Sequence, residues 1–147
     1  MKRFETLEQD DLNYYRRLEI RDRLIDAILS KYESLAAASK AYGKNPAYLG
    51  NYNTLYRINS IYDFCRLADI SLEYVLTGNN KKCFSGVNIT YKNILNEYYK
   101  KRIARNHSAM KMAVFKIKHS DKLNFGINTL LTLSDHFKKD IYYLIQG

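Results

Sequence analysis

SLEYVLTG at Ser71–Gly78 and DIYYLIQG at Asp140–Gly147 decide the reading of this chain, because they are two versions of one ending. In each, a capping Ser or Asp is followed by an apolar residue, a Tyr, an apolar pair and a Gly. Leu72, Tyr74, Val75, Leu76 and Gly78 stand against Ile141, Tyr143, Leu144, Ile145 and Gly147. Upstream of each lies helical apolar spacing: Ile61, Phe64, Cys65 and Ala68 in one, Leu130, Leu133, Ser134 and Phe137 in the other. A repeat of about 65–70 residues in a chain of 147 predicts two copies of one small helical domain. Each copy is near the lower size limit for independent folding.

Composition bounds the rest. Nearly half the residues are hydrophobic, with one Pro and six Gly, as expected of an ordered globular protein. No apolar run approaches the ~18 residues of a membrane span, and MKRFETLEQDD has no signal-peptide core, so a cytoplasmic protein without a membrane partner is expected. Cys65 reads as a buried thiol and Cys83 as a free one; neither has metal-ligand spacing. The formal charge of +9 is unevenly placed. Residues 88–147 carry 11 Lys and Arg against 4 Asp and Glu, whereas residues 20–79 carry 7 against 6. Such a surplus attracts a polyanion, since each neutralised phosphate releases a counterion.

Outward from the endings, almost everything reads as helix. Thr6–Lys31 keeps an apolar stripe at Leu7, Tyr14, Leu18, Ile25, Ile28 and Leu29, as one helix or two joined near Glu19–Asp22. Ser34 caps a short Ala-rich helix, Leu35–Tyr42, and Gly43 ends it. Asn45 and Pro46 then start a helix to about Thr54. Ser60 caps the next, to about Ala68, and Ser71 the last. A polar linker follows. The second half reads as Ile89–Glu97, Tyr98–Asn106, Ser108–Lys118, a loop His119–Gly126, Asn128–Phe137 and Asp140–Ile145. A β-hairpin over Ala113–Ile127 is the second choice.

Two short helices joined by a Gly-containing turn form a helix-turn-helix pattern. Ala38 and Ser39 supply the small crossing contact, Gly43 the turn, and Leu49 with Tyr52 the inner face. The same template laid from Lys100 puts Ile103 and Ala104 at the crossing, Ser108 at the turn, and Val114 with Ile117 inside.

With its ending, this order resembles the Cro/C1-type (XRE) helix-turn-helix family of phage and bacterial repressors. The resemblance is clear over Arg21–Asn79 and weaker over Ile89–Gly147; Leu35 and Ala36 stand where the family usually has Gln. It implies an all-α fold of two tandem five-helix, lambda-repressor-like domains. The expected organisation is an N-terminal helical extension (1–19), a first domain (20–79), a linker (80–87) and a more basic second domain (88–147). The implied function is a sequence-specific regulator of transcription, repressor-like, whose partner is double-stranded DNA. Base reading falls to Asn45, Ala47, Gly50, Asn51 and Thr54 in the first copy, with Pro46 beside them, and to Lys111, Lys116 and His119 in the second. Phosphate contacts fall to Lys44, Arg57, Lys100, Lys101, Arg102, Arg105, Lys118 and Lys122. Met110, Met112 and Phe115 form an apolar patch suited to a protein partner. A homodimer, an inhibitor or adaptor module, and DNA binding by one copy with dimerisation by the other are the alternatives. His107, His119 and His136 lack metal-ligand partners in sequence, and no nucleophile or phosphate-loop pattern occurs; no cofactor, metal or enzymatic activity is expected.

Overall fold

The computed structural model describes residues 2–50, 57–79, 83–84, 86–100, 108–120 and 123–147, and the side chains of these except 2–11, 108 and 109. Eight α-helices and no strand occur among the described residues: α1 (Lys2–Leu29), α2 (Leu35–Ala41), α3 (Ile58–Ala68), α4 (Leu72–Thr77), α5 (Lys92–Lys100), α6 (Ser108–His119), α7 (Ile127–Phe137) and α8 (Ile141–Leu144). The chain divides into two compact units, Met1–Ser85 and Gly86–Gly147.

In the first unit α1 is one uninterrupted helix of 28 residues, free of Gly and Pro. It packs on α2, α3 and α4. Its buried face is Ile20, Leu24 and Ile28, one turn apart each, with Asn13 also buried. This corrects the expected stripe: Tyr14 and Leu29 are exposed, Leu18 and Ile25 half-buried, and the side chain of Leu7 lies outside those described. Ser34 caps α2 by accepting the Ala37 N–H at 3.1 Å. Every apolar side chain at the helical spacing of α3 is buried: Ile58, Ile61, Phe64, Cys65 and Ala68. Ser71 caps α4 by accepting the Tyr74 N–H, and Gly78 ends it at φ +83°.

The second unit buries Ile94 and Glu97 of α5, Met110, Ala113 and Val114 of α6, the inner face of α7, and Ile141 and Leu144 of α8. Ile145, Tyr91 and Phe125, all outside helices, join this core, and the rings of Tyr91 and Phe125 meet edge-on at 4.7 Å. Burial pushes the Tyr91 phenol up to about 12, against a smaller opposite effect of the Phe125 backbone. Glu97 is 3 % exposed and accepts a hydrogen bond from the Tyr143 hydroxyl at 3.2 Å.

The α3–α4 corner recurs as the α7–α8 corner at a constant offset of 69 (58 to 127, 71 to 140, 78 to 147). Asp69 and Lys138, both at φ +55°, end α3 and α7 in the left-handed conformation. In each, two consecutive N–H groups turn back to one carbonyl: Asp69 and Ile70 to Cys65, Lys138 and Lys139 to Ser134. Ser71 and Asp140 then cap the following helix in the same way.

Other boundaries moved. α5 begins at Lys92 rather than Ile89, because Tyr91 stands at φ +59°, outside the right-handed helical region, with its N–H and that of Thr90 donated to the Ile145 carbonyl. α6 runs unbroken to His119, which removes the hairpin alternative. Residues 46–50 form successive turns where a helix Pro46–Thr54 was expected, and 51–56 lie outside the described residues; Tyr98–Lys100 continue α5 instead of starting the separate helix Tyr98–Asn106, whose span 101–106 also lies outside them. Gly147 does not repeat the role of Gly78, since Ile145 closes α8.

Candidate nucleic-acid interface

The best-built surface of the first unit surrounds the turn after α2. Gly43 sits at φ +81° with open space where a Cβ would stand, so backbone conformation rather than lack of room calls for glycine. The Ser39 hydroxyl donates to the Leu35 carbonyl at 2.8 Å and accepts the Leu49 N–H at 3.1 Å. One small side chain thus ties the returning segment to α2, with Ser39 and Leu49 both fully buried. Asn45 organises the turn by accepting the Ala47 N–H on its side chain and the Tyr48 N–H on its carbonyl, both at 2.9 Å. Lys44, Asn45, Pro46, Ala47 and Gly50 are left exposed.

An aromatic stack that sequence reasoning missed fixes this turn against α3. The rings of Tyr42 and Phe64 lie 4.2 Å apart, and Tyr48 stacks on Phe64 at 5.8 Å. Lys44 extends over both tyrosines, its Nζ 5.6 Å from one ring centre and 5.5 Å from the other. The Tyr42 hydroxyl donates to Asp63 at 3.0 Å. Burial, reinforced by Asp63, pushes its phenol up to about 12. The available signal was the pair Tyr42 and Tyr48 flanking Gly43–Pro46, which frames the turn with rings.

On the second unit the exposed face of α6 carries Lys111, Met112, Phe115, Lys116, Lys118 and His119. Met112 is 58 % and Phe115 62 % exposed, and His119 lies 4.6 Å from the Phe115 ring. Lys118 reaches over Tyr99 of α5 at 4.8 Å. Met110 is the correction here: at 1 % exposure it belongs to the core, not to a partner-binding patch. Its spacing with Ala113, Val114 and Ile117 is the helical stripe that identifies the inner face.

Of the remaining sequence-predicted residues, Arg57 is exposed at the start of α3 and Lys100 at the end of α5. Asn51, Thr54, Lys101, Arg102, Arg105 and Lys122 lie outside the described residues. Among the described residues no cluster of three or more His, Cys, Asp or Glu gathers to hold a metal, and no helix is long and apolar enough to cross a membrane. No family model, no curated protein and no solved structure matches this chain.

Proposed function

We propose that the chain is a sequence-specific, double-stranded DNA-binding regulator of the repressor type, built from two helix-turn-helix domains of which the second has diverged. What supports this most is the turn around Gly43. Ser39 joins α2 to Leu49 through a buried hydroxyl, and the polar, small residues Asn45, Ala47 and Gly50 remain exposed beyond it. A small crossing residue, a left-handed turn residue and an inward apolar residue are what a helix-turn-helix requires of its sequence. The constant offset of 69 between the two corners (58 to 127, 71 to 140) supports the tandem organisation. The basic surplus of residues 88–147 supplies attraction to phosphate.

A second reading rests on α6. Two large apolar side chains, each more than half exposed among cations, suit a protein partner better than a base edge. In that reading the first unit reads DNA and the second grips a protein or another copy.

Selection of bound sequences from random duplex DNA at low salt tests the proposal. Enrichment of a defined motif, with binding that weakens steeply as salt rises, is the expected result. Failure to enrich any duplex, by a chain whose helical fold is intact, overturns it.

A further inference from the structure

At its turn, unit one covers its rings, with Tyr42 and Tyr48 stacked on the buried Phe64. Unit two leaves rings outward. Phe115 of α6 is 62 % exposed, and Tyr99 of α5, which packs on α6, is 49 % exposed. Both stand among nitrogen-bearing side chains. The His119 ring lies 4.6 Å from that of Phe115, and Lys118 Nζ lies 4.8 Å from the centre of the Tyr99 ring. Lys111 and Lys118 stand about one turn before and after Phe115, so the outer face of α6 runs cation, ring, cation. No carboxylate competes along this stretch. From Tyr98 to Ser120 the sequence has no Asp or Glu, and Glu97, just before it, is buried and accepts the Tyr143 hydroxyl.

We propose that this face of unit two binds single-stranded nucleic acid, with bases stacked on Phe115 and Tyr99 and phosphates held by Lys111, Lys116 and Lys118. The exposed rings discriminate between strand forms. In a duplex each base is already stacked on its neighbours and shows a groove only its edge, so a ring on the protein gains little there. In a single strand the base face is open, and covering it with an aromatic ring takes apolar surface of both from water. The charge discriminates between classes of partner. A protein contact centred here would bury several lysines, a residue in which interface cores are depleted. A polynucleotide instead brings a phosphate with every base, matching the alternation of cation and ring along α6. Only α5 and α6 are involved, so the proposal does not rest on duplex reading by unit one.

The test uses the full chain and the fluorescence anisotropy of two labelled strands of equal length. One is oligothymidylate; the other is its abasic counterpart, which keeps the phosphates and lacks the bases. Oligothymidylate should bind at least about tenfold more tightly at the same salt. Phe115→Ala should weaken oligothymidylate at least about fivefold and leave the abasic strand unchanged. Phe115→Trp, which restores a ring, should recover the binding. Lys111→Ala combined with Lys116→Ala should weaken both strands alike and flatten their salt dependence. These positions are exposed, so circular dichroism should show native helix content in every variant. Equal affinity for the two strands, or oligothymidylate binding indifferent to Phe115→Ala, overturns the proposal. So does Phe115-dependent binding of an acidic, Phe-containing peptide without binding of oligothymidylate, which assigns the face to a protein. A failed duplex selection leaves this result untouched, and a failed strand measurement leaves duplex reading by unit one standing.

Discussion

Ile58–Ala68 and Ile127–Phe137 are the same eleven-residue helix built twice, with the same left-handed stop, yet they fill their cores in opposite order. The first places its ring one turn before the end, Phe64, and a small residue last, Ala68. The second has Leu133 at the earlier position and Phe137 last. Closure differs too. In unit one a side chain does it, Arg23 Nε donating to the Val75 carbonyl at 2.9 Å. In unit two backbone N–H groups do most of it, Thr90 and Tyr91 donating to the Ile145 carbonyl and Asn93 to that of Gln146, joined by the Asn93 side-chain amide on the Tyr143 carbonyl at 2.8 Å. A long α1 presents side chains along the corner, whereas the short α5 brings its own unpaired N-terminal N–H groups there. A corner is thus retained where backbone geometry fixes it, and everything facing outward or forward is free to change.

The most severe way to break the comparison is Phe137→Ala. The ring is fully buried, and its removal should cost about 3–5 kcal/mol. A unit of this size has little stability to spare. NMR should show the amide dispersion of residues 86–147 collapsing while that of residues 12–50 persists. Loss of both at once would mean that the units do not fold separately. The mirror change, Ala68→Phe, overfills rather than empties and should cost less, about 1–3 kcal/mol.

Ser39→Ala comes next. It removes the bond that the buried Leu49 N–H makes among the described residues, and an unsatisfied buried donor costs about 1–3 kcal/mol. The denaturant midpoint should fall with an unchanged slope. Because Leu49 precedes Gly50, the same variant should weaken motif selectivity in a DNA selection more than a surface Lys change of equal stability cost.

How much of this was legible in sequence follows from what each signal encodes. The corners were readable because capping chemistry and helical spacing are local properties: Ser71, Asp140 and Gly78 act within one turn. The rotation of a helix is not local. On α1, three apolar registers coexist, and only contact with α2, α3 and α4 selects Ile20, Leu24 and Ile28 over Tyr14 and Leu29. On α6 the information was present in Met110, Ala113, Val114 and Ile117, but the template from unit one assigned Met110 outward. The candidate site was half legible. Exposed Asn45 and Ala47 follow from the turn, whereas the Tyr42–Phe64–Tyr48 stack joins residues whose meeting depends on tertiary structure.

Each unit also holds one phenol at about 12, Tyr42 and Tyr91, for different leading surroundings: burial aided by Asp63 in one, burial alone in the other. Both values are raised above the ordinary 10.0, so the neutral phenols favour the folded state. Their contribution is complete below pH 10 and is lost as pH rises from about 10 toward 12, where the unfolded chain ionises first. Absorbance titration should show Tyr42 and Tyr91 titrating late, with Tyr143, raised by burial and then by the Glu97 carboxylate, above the ordinary range as well. Asp63→Asn should lower the Tyr42 midpoint while leaving Tyr91 unmoved, since of the two Tyr42 alone donates to a carboxylate. Movement of both would join what the comparison holds apart.

The smallest effect is the sharpest probe of the shared corner. Lys138 and Asp69 both occupy a conformation that costs an ordinary L-residue about 1–2 kcal/mol and glycine almost nothing. Glycine gives back about 0.5–1 kcal/mol through the entropy of the unfolded chain. Lys138→Gly, at an exposed position, should therefore stabilise unit two by roughly 0.5 kcal/mol, a rise of a few degrees in its thermal midpoint. Asp69→Gly gains the same backbone relief but forfeits the bond from the Phe84 N–H, worth about 0.5–1.5 kcal/mol. Its net effect should be nil or slightly destabilising. Equal stabilisation by the two substitutions would leave the carboxylate of Asp69 with no energetic role, whereas a shortfall confined to Asp69→Gly measures the one difference between corners that otherwise share a backbone.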